Sequence, residues 1–547
     1  MSIVGGALED TNLRYFLALY SKYKNPSSKM TLTIGEEVYP TAIATKELMK
    51  ELPYVEYETL LKDKDAHSRH ALKIRLWIKK MQGGTGSSIT RATYLSEIFA
   101  EILDRPKEKI KIGAKGTDLF IEIKDKKYSK IKKYVSLAEL QILQSIVDSL
   151  KGLYSEIIFH DVVSVETRDA VNAIWKTPCL FDPSKTYMEY IKSTKGLMKF
   201  KESLQSHQQT IDEKGNLSSN RTNPGGHGFV AVDSLSAAYA KGGLPGDDPK
   251  HLIGVVGNGE DLGSTPDSVI FGWMLEQKIP IVMITTDKTE LDMKGGQISL
   301  VKDNDGVHVT IIEKAQAQAA GQLELFEELG LRKGDKRSFF NTNVALFNYD
   351  VLSPLIKKLV EEVGEDEFIK IITPDLIQNV KTQKDSDGVT RKYTQLEGAM
   401  ASSLLNLDKY WRKHYKEPIV HFVNVGRENR TRFFSPVKTA FDFFIQFHSD
   451  RFVLDTDNMR LIDKRKGALP LIELKDEYYN DVKHVLDCFG GVSTLDLDYL
   501  SIEGRVRMKG FKLSGKVGIT NRSGDIVDLC NLKELSSKEL SNIKKEF

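Results

Sequence analysis

A glycine-rich loop is the first part of this 547-residue chain whose residues could do chemistry. It consists of four consecutive residues, Gly83, Gly84, Thr85 and Gly86. Because no bulky side chain interferes, successive backbone N–H groups of such a loop can point at a phosphate. A tight turn between a strand and a helix would use the same residues, and the pattern is neither a G-x-G-x-x-G fingerprint nor a P-loop. Neighbouring segments must decide between a nucleotide site and a plain turn.

Acidic residues follow an apolar run at residues 252–256. The segment after it contains Asn258, Glu260 and Asp261 between glycines. If the run is a strand of a doubly wound sheet, carboxylates at its carboxyl end lie where ligands bind and can hold a hard cation such as Mg²⁺. Helix capping or a polar turn is the alternative. We predict metal contacts for Glu260 and Asp261, and a sugar or phosphate contact for Asn258.

Two turn-rich segments carry groups that can recognise a base or a sugar. Gly226 and His227 belong to a loop whose imidazole can donate a hydrogen bond to a base or a phosphate. Phe340 to Asn343 places two short amides around a hydroxyl, and Asn343 can contact sugar hydroxyls. A surface turn is the simpler interpretation of each segment taken alone.

Cations cluster in two other segments. Lys294 precedes a glycine pair after another apolar run, and residues 430–439 carry Arg430, Arg432 and Lys438 beside Pro436. The arginine fork and the lysine point charge both suit phosphate oxygens. We predict phosphate or sugar contacts for Lys294, Arg432 and Lys438, with a solvated basic loop as the alternative.

The elements that must position these residues follow from hydrophobic periodicity. Ile74, Leu76 and Ile78 recur at every second position among charged residues and lead directly into the glycine loop, which predicts a strand. Residues 92–103 return to helical spacing, and strands alternate with helices to about residue 453. This pattern is typical of an α/β fold around a mainly parallel sheet.

The two ends of the chain have a different texture. Residues up to about 70 show helical spacing, whereas short alternating stretches separated by glycines begin at Ser493 and indicate a small β-solenoid. The lysine-rich stretch 536–547 favours a closing helix. Length and these changes of texture predict three units, residues 1–70, 71–455 and 456–547.

Composition excludes several classes of function. Lysine and arginine (78) nearly balance aspartate and glutamate (76), and they alternate along the chain, so no long-range field recruits nucleic acid or an anionic membrane. Three widely spaced cysteines give neither a disulfide framework nor a zinc pattern. Residues 1–10 show no basic region followed by an apolar core, and no uncharged apolar run approaches the roughly 20 residues that span a bilayer. We therefore expect a soluble, cytoplasmic protein.

Taken in order, these segments resemble the eukaryote-type UDP-glucose pyrophosphorylase family. The matching stretches carry the family's order and approximate spacing: Gly83 to Ser87, Gly226 to Gly228, Glu260 to Gly263, Asp287 to Thr289 with Lys294 to Gly296, Phe340 to Asn343, Gln395 to Glu397 and Pro436 to Thr439. The resemblance implies a Rossmann-like, glycosyltransferase-A-type α/β nucleotidyltransferase domain with a mixed, mainly parallel sheet over 71–455. It further implies a helical N-terminal segment and a C-terminal left-handed β-helix.

The resemblance also implies an activity. Members of the family join UTP and glucose 1-phosphate to give UDP-glucose and pyrophosphate, and they use one Mg²⁺ ion. Substrate choice depends on a few pocket contacts, so galactose 1-phosphate or an N-acetylhexosamine 1-phosphate stays an open alternative. A catalytically silent protein that binds a nucleotide sugar is the alternative from another class.

Individual roles follow from the matching positions. Gly83, Gly84 and Gly86 would contact the uridine nucleotide, and Gly226 with His227 would hold the base or the nucleotide and sugar. Asn343 and Glu313 match the sugar-contacting region, and Lys438 matches the lysine that binds the phosphates. Glu260 replaces the family's magnesium-contacting aspartate, and Asp261 takes the neighbouring asparagine position.

One stretch departs from the family. The family's glycine loop is followed closely by K-G-P-K, whereas residues 89–112 intervene here. Lys115 matches the first lysine, and Asp118 stands where the second, triphosphate-binding lysine is expected. We expect Lys115 to neutralise phosphate charge, with Arg91 of the inserted segment as the alternative. The sequence does not determine the oligomeric state; an exposed edge of the β-helix could support a homo-oligomer.

Overall fold

The computed structural model describes residues 6–25, 33–86, 89–101, 112–132, 134–289, 295–304, 306–329, 337–384, 388–426, 429–465 and 469–547. Within these residues every helix is too short or too polar to cross a lipid bilayer.

The strands are, in chain order, β1 Val38–Pro40, β2 Tyr54–Glu56, β3 Arg75–Met81, β4 Phe120–Glu122, β5 Tyr134–Ser136, β6 Glu156–Val163, β7 Pro178–Cys179, β8 Asp182–Thr186, β9 Met198–Leu204, β10 His207–Ile211, β11 Leu217–Pro224, β12 Leu252–Asn258, β13 Ile281–Asp287, β14 Gln297–Asp303, β15 Gly306–Ile312, β16 Phe339–Asn348, β17 Leu376–Lys384, β18 Thr390–Gly398, β19 Val420–Val425, β20 Phe452–Asp455, β21 Arg460–Asp463, β22 Leu471–Leu474, β23 Ser493–Glu503, β24 Val506–Arg507, β25 Lys512–Thr520, β26 Val527–Asp528 and β27 Glu539–Glu546.

The α-helices are α1 Gly6–Lys24, α2 Lys46–Met49, α3 Tyr57–Leu60, α4 Lys64–Ala71, α5 Ala92–Glu101, α6 Lys115–Asp118, α7 Leu137–Leu150, α8 Arg168–Trp175, α9 Tyr187–Ser193, α10 Gly226–Ser236, α11 Ser268–Glu276, α12 Lys314–Ala319, α13 Leu323–Glu328, α14 Tyr349–Val363, α15 Glu365–Ile372, α16 Met400–Tyr415, α17 Arg430–Phe433, α18 Ala440–Phe447 and α19 Val482–Phe489.

The centre of the molecule is a mixed, mainly parallel sheet. Its main path runs β2-β19-β13-β16-β12-β3-β6-β9, and β1, β14 and β15 extend it beside β16. Along that path only β16 is antiparallel to its neighbours. The predicted α/β fold with a mainly parallel sheet is confirmed.

Two hydrophobic cores cover the two faces of this sheet. Along β3, Leu76 and Ile78 belong to one core, whereas Trp77 and Met81 belong to the other. A strand buried on both faces reads as a nearly continuous apolar run. Within β3 the two lysines are also buried, because Lys79 pairs with Asp233 and Lys80 donates to Ser264.

The first 70 residues are not helical throughout. They contribute β1, which pairs with β14, and β2, which pairs with β19, so this segment shares the central sheet. The predicted helical spacing does correspond to α1, whose Tyr15 and Leu19 are fully buried.

The C-terminal residues form parallel strands. β22, β23, β25 and β27 lie side by side in one parallel sheet, and β24 pairs with β26. The predicted closing helix over 536–547 is wrong, since Glu539–Glu546 is strand β27. The open edge of β25 supplies hydrogen-bond partners that outweigh the weak helical preference of this polar stretch.

Candidate functional site

The candidate segments converge at one edge of the central sheet. β12 and β3 are parallel with Asn258 opposite Met81, so the acidic segment and the glycine loop leave the sheet side by side. β16 runs the other way, and its first residues therefore begin at the same edge. A cleft of about 1450 Å³ opens there. The sequence-predicted residues that line it are Gly83, Gly84, Thr85, Gly86, Lys115, Gly226, His227, Asn258, Glu260, Glu313, Asn343 and Lys438.

The glycine loop packs tightly against two side chains of the cleft. Gly86 has a φ of +61°, and a Cβ at this position would lie 2.3 Å from Cγ of Lys115. A Cβ on Gly83 would lie 2.7 Å from Oε1 of Gln205. Gly83 and Gly86 therefore leave room for the Gln205 and Lys115 side chains, and at Gly86 the backbone conformation also favours glycine, whereas a Cβ on Gly84 would meet no atom within 4 Å.

Lys115 links the loop to the other side of the cleft. It begins α6, and its Nζ lies 3.3 Å from Oε1 of Glu260 and 3.2 Å from the carbonyl oxygen of Val437. Both members of the ion pair keep some exposure, 13% for Lys115 and 25% for Glu260. The ammonium group can exchange these contacts for phosphate oxygens.

The two adjacent carboxylates of the acidic segment have different surroundings. Asp261 is fully buried, and its Oδ1 accepts hydrogen bonds of 2.8 Å from the backbone N–H groups of Gly263 and Ser435. Burial raises the pKa of Asp261 to about 6, although these hydrogen bonds lower it. Asp261 does not line the cleft and ties the loop to the segment at 435, so its metal contact stays a prediction that the lining of the cleft does not support. Glu260 is the carboxylate that lines the cleft.

The opposite wall carries the groups suited to a sugar. Nδ2 of Asn343 lies 2.8 Å from Nδ1 of His227. The amide nitrogen can only donate, so Nδ1 accepts and Nε2–H is left to donate to a ligand. Glu313 stands nearby, and burial raises its pKa to about 7, with Lys438 and Lys288 acting in the opposite direction. Nζ of Lys438 lies 5.4 Å from the ring centre of Phe434.

Two of the predicted cations do not line the cleft. Arg91 is buried beneath the glycine loop and bonded to Asp118 and to loop carbonyls, so its phosphate contact stays a prediction that this geometry does not support. Arg432 pairs with Asp267, the N-cap of α11, and its phosphate contact likewise stays a prediction. Lys294 lies outside the described residues.

Sequence reasoning missed several lining residues. Gln205 directly follows β9, and Gln82 directly precedes the glycine loop. Their positions at the carboxyl ends of parallel strands were the signal that could have found them. Lys381 and Gln378 of β17 line the far end of the cleft, and no local pattern marks them.

Comparison with known proteins begins with a protein family. A family described as UTP--glucose-1-phosphate uridylyltransferase matches residues 204–512, more than half of the chain. A Saccharomyces cerevisiae protein named UTP--glucose-1-phosphate uridylyltransferase is 29% identical over 315 residues, 56% of this chain and 54% of that protein. A Schizosaccharomyces pombe protein with the name "Probable UTP--glucose-1-phosphate uridylyltransferase" is 28% identical over 314 residues, 56% of this chain and 53% of that protein. The chain spans about half the length of these curated relatives.

Solved structures match over almost the whole chain. A UDP-glucose pyrophosphorylase from Leishmania major aligns with a TM-score of 0.66 and 20% identity, covering 98% of this chain and 96% of that one. A UDP-glucose phosphorylase from Trypanosoma brucei aligns with a TM-score of 0.65, 20% identity and the same coverage. At this identity the likeness establishes a shared fold.

Proposed function

Because the chain belongs to the UTP--glucose-1-phosphate uridylyltransferase family, we propose that it makes UDP-glucose and pyrophosphate from UTP and glucose 1-phosphate. One observation carries the proposal: Lys115 touches the glycine loop and at the same time pairs with Glu260 across the cleft. A phosphate-facing loop, a cation and a carboxylate thus meet at one point.

The proposed reaction is a displacement at phosphorus. An oxygen of the sugar phosphate attacks the α-phosphorus of UTP, a new P–O bond forms, and the bond to the bridging oxygen breaks as pyrophosphate leaves in line. Such a reaction needs alignment of anions and compensation of the charge that gathers on their oxygens, rather than covalent help from the protein. A cleft lined by the cations Lys115 and Lys438 meets that need.

Each wall of the cleft has a proposed role. The N–H groups of Gly83, Gly84 and Gly86 and the ammonium group of Lys115 hold the nucleotide phosphates. Lys438, which also lines the cleft, holds the sugar phosphate. Nε2–H of His227 and the amide of Asn343 contact the sugar or the base, a role supported by their mutual hydrogen bond.

The donor set of the cleft fits a magnesium ion. Within the described ranges no group of three or more His, Cys, Asp or Glu side chains comes together. This suits magnesium, which takes one or two protein carboxylates and completes its shell with phosphate oxygens and water. We propose Glu260 as the protein ligand. When bound, the ion would offset negative charge on the triphosphate.

The deciding experiment is a pyrophosphate-release assay. The purified chain is supplied with UTP, Mg²⁺ and one sugar 1-phosphate from a panel of glucose, galactose and N-acetylglucosamine derivatives. We expect magnesium-dependent release with glucose 1-phosphate as the best substrate. Faster turnover of another sugar would replace the substrate, and tight UDP-glucose binding without any turnover would refute the enzymatic proposal.

The finer architecture and location are proposals as well. We propose units at 1–70, 71–455 and 456–547, a glycosyltransferase-A-type central domain, a largely helical N-terminal segment and a left-handed C-terminal β-helix. The parallel pairing of β23 with β25 and of β25 with β27 supports the last of these. Function in the cytoplasm, and self-association through the C-terminal unit, are further proposals.

A further inference from the structure

Arg91 occupies an unusual position for a cation near a phosphate site. Its side chain is 1% exposed. NH1 donates to the carbonyl oxygens of Gly86 and Ile89 at 2.9 and 3.0 Å, and NH2 donates to that of Thr85 at 2.6 Å. The guanidinium therefore holds the glycine loop from below through its backbone, and its donors are not available to a substrate.

Asp118 completes the arrangement. Its Oδ2 accepts from Nε and NH2 of Arg91 at 3.1 and 3.0 Å and from the backbone N–H of Gly113 at 3.0 Å. Asp118 is the last residue of α6, the same helical turn that begins with Lys115. The pair thus joins the two elements that approach the nucleotide, the glycine loop and the turn that carries Lys115.

The inserted segment is itself anchored on its outer side. The backbone N–H of Thr90 donates to the carbonyl oxygen of Asn480 at 2.9 Å, and the N–H of Val482 donates back to Thr90 at 3.0 Å. Lys483 lies 3.4 Å from Glu97 of α5. The backbone beside Arg91 is therefore held in place by the residues just before and at the start of α19. From this fixed backbone the side chain of Arg91 can position the glycine loop.

We propose that Arg91 and Asp118 are positioning residues that hold the glycine loop and Lys115 in the geometry that receives the nucleotide triphosphate. Neither residue lines the cleft. Asp118 accepts hydrogen bonds from Arg91 inside the protein. At the matching position the family pattern has a lysine that faces the nucleotide. The inference rests on the proposed function only for the identity of the ligand, UTP.

The test compares two conservative variants with a matched control pair. Arg91→Lys keeps the positive charge and loses the planar, forked set of guanidinium donors. Asp118→Asn keeps the shape of the side chain and loses its negative charge. Arg451 and Asp463 form a second buried pair, with contacts of 3.0 Å and outside the lining of the cleft. Arg451→Lys and Asp463→Asn therefore reproduce the same chemical changes elsewhere.

Three quantities are measured on the full chain. They are the Kd of UTP with Mg²⁺ by calorimetry, the split between kcat and KM, and hydrogen exchange without nucleotide in peptides that cover 83–86 and 115. In Arg91→Lys and Asp118→Asn we expect UTP binding to weaken by about tenfold to a hundredfold, because small misplacements of binding groups cost that much. We expect exchange at the loop to accelerate. The control variants should lower Tm and leave UTP binding, the split between kcat and KM, and exchange at the loop unchanged.

The outcomes separate the two hypotheses. If the wild type binds UTP and the 91 and 118 variants bind it equally well at similar Tm, the positioning role is refuted. If the wild type does not bind UTP, the proposed function fails, and loop exchange still decides whether the pair holds the loop. Should Asp118→Asn not fold, Arg91→Lys gives the same comparison with Arg451→Lys.

Discussion

Two ion pairs stand close together in this molecule and do opposite things. Arg91 and Asp118 are 1% and 6% exposed, whereas Lys115 and Glu260 are 13% and 25% exposed. The first pair is bound on every side by loop carbonyls and a backbone N–H. The members of the second pair lie 3.3 Å apart, Lys115 also donates to the carbonyl oxygen of Val437, and both residues line the cleft. Arg91 and Asp118 hold the elements of the site in position, whereas Lys115 and Glu260 are available to its ligands.

The two pairs differ because burial removes much more of the surrounding water from Arg91 and Asp118 than from Lys115 and Glu260. Burial raises the pKa of Asp118 although Arg91 lowers it, so the carboxylate is costly to bury and depends on its partner. The Lys115–Glu260 contact is partly solvated, and such pairs contribute little to stability. Its two charges can therefore separate and serve a triphosphate and a cation. A single turn of helix, 115–118, carries one member of each pair.

The largest effect is expected when the cleft cation is removed. Lys115→Met should lower turnover by about 10² to 10³-fold, the loss typical for one charge-stabilising donor. The free energy of unfolding should change by less than about 1 kcal/mol, because partly solvated ion pairs contribute little to stability. Pyrophosphate release and thermal unfolding measure the two quantities. Lys151→Met, an exposed lysine that contacts Asn458, is the control; equal turnover in both variants would contradict the role of Lys115.

Removing the cleft carboxylate should change the response to magnesium. We expect Glu260→Gln to raise the Mg²⁺ concentration that gives half-maximal rate by at least about tenfold, the loss seen even when only a metal ligand's support is removed. Titrating Mg²⁺ in the pyrophosphate-release assay measures this. Asp261→Asn is the informative neighbour, since Asp261 bonds to two backbone N–H groups inside the protein. A shift with Asp261→Asn and none with Glu260→Gln would reverse the assignment.

The strand and the segments that form the cleft could be predicted from the sequence. The direction of the side chains in the two ion pairs could not. The alternation of Leu76 and Ile78 before the glycines predicted β3 and its loop, and β3 is where the structure places it. Motif order predicted which segments share the cleft. These local sequence patterns predict the structure because strand ends and turns are determined by neighbouring residues.

Side-chain direction depends on contacts that are distant in the chain. Glu260 and Asp261 are adjacent, and only docking against Ser435 shows which of them is buried. Arg91 meets Asp118 across an intervening segment, so a basic residue near a phosphate loop was interpreted as a phosphate ligand. Strand β27 replaced the predicted helix for a similar reason, since its partner β25 decides its structure.

A smaller effect is expected from filling the space between the loop and Lys115. Gly86→Ala forces a side chain into a left-handed backbone conformation, which costs about 1–2 kcal/mol, and displaces Lys115. Gly152→Ala is the matched control, because Gly152 has a φ of +63° and no atom near the added methyl group. Both variants should lose similar stability in thermal unfolding. Only Gly86→Ala should raise the KM for UTP; a similar rise in Gly152→Ala would mean that global destabilisation explains it.

The smallest expected effect concerns the protonation of Glu313, a carboxylate that lines the cleft. The pKa of Glu313 is raised from 4.5 to about 7, chiefly by burial. Between these values the folded protein keeps a proton that the unfolded chain loses, so the free energy of unfolding falls as pH rises through that window. Glu313→Gln should remove this decline.

Activity should follow the same titration. If ionised Glu313 accepts a hydrogen bond from a sugar hydroxyl, the ratio of wild-type to Glu313→Gln kcat/KM should rise a few-fold between about pH 6 and 8, with its midpoint near pH 7, and then level off. Because both proteins use the same sugar phosphate, its own titration cancels in the ratio. A ratio that stays flat from about pH 6 to about pH 8, roughly one unit either side of that midpoint, would show that the cleft does not use the charge of Glu313.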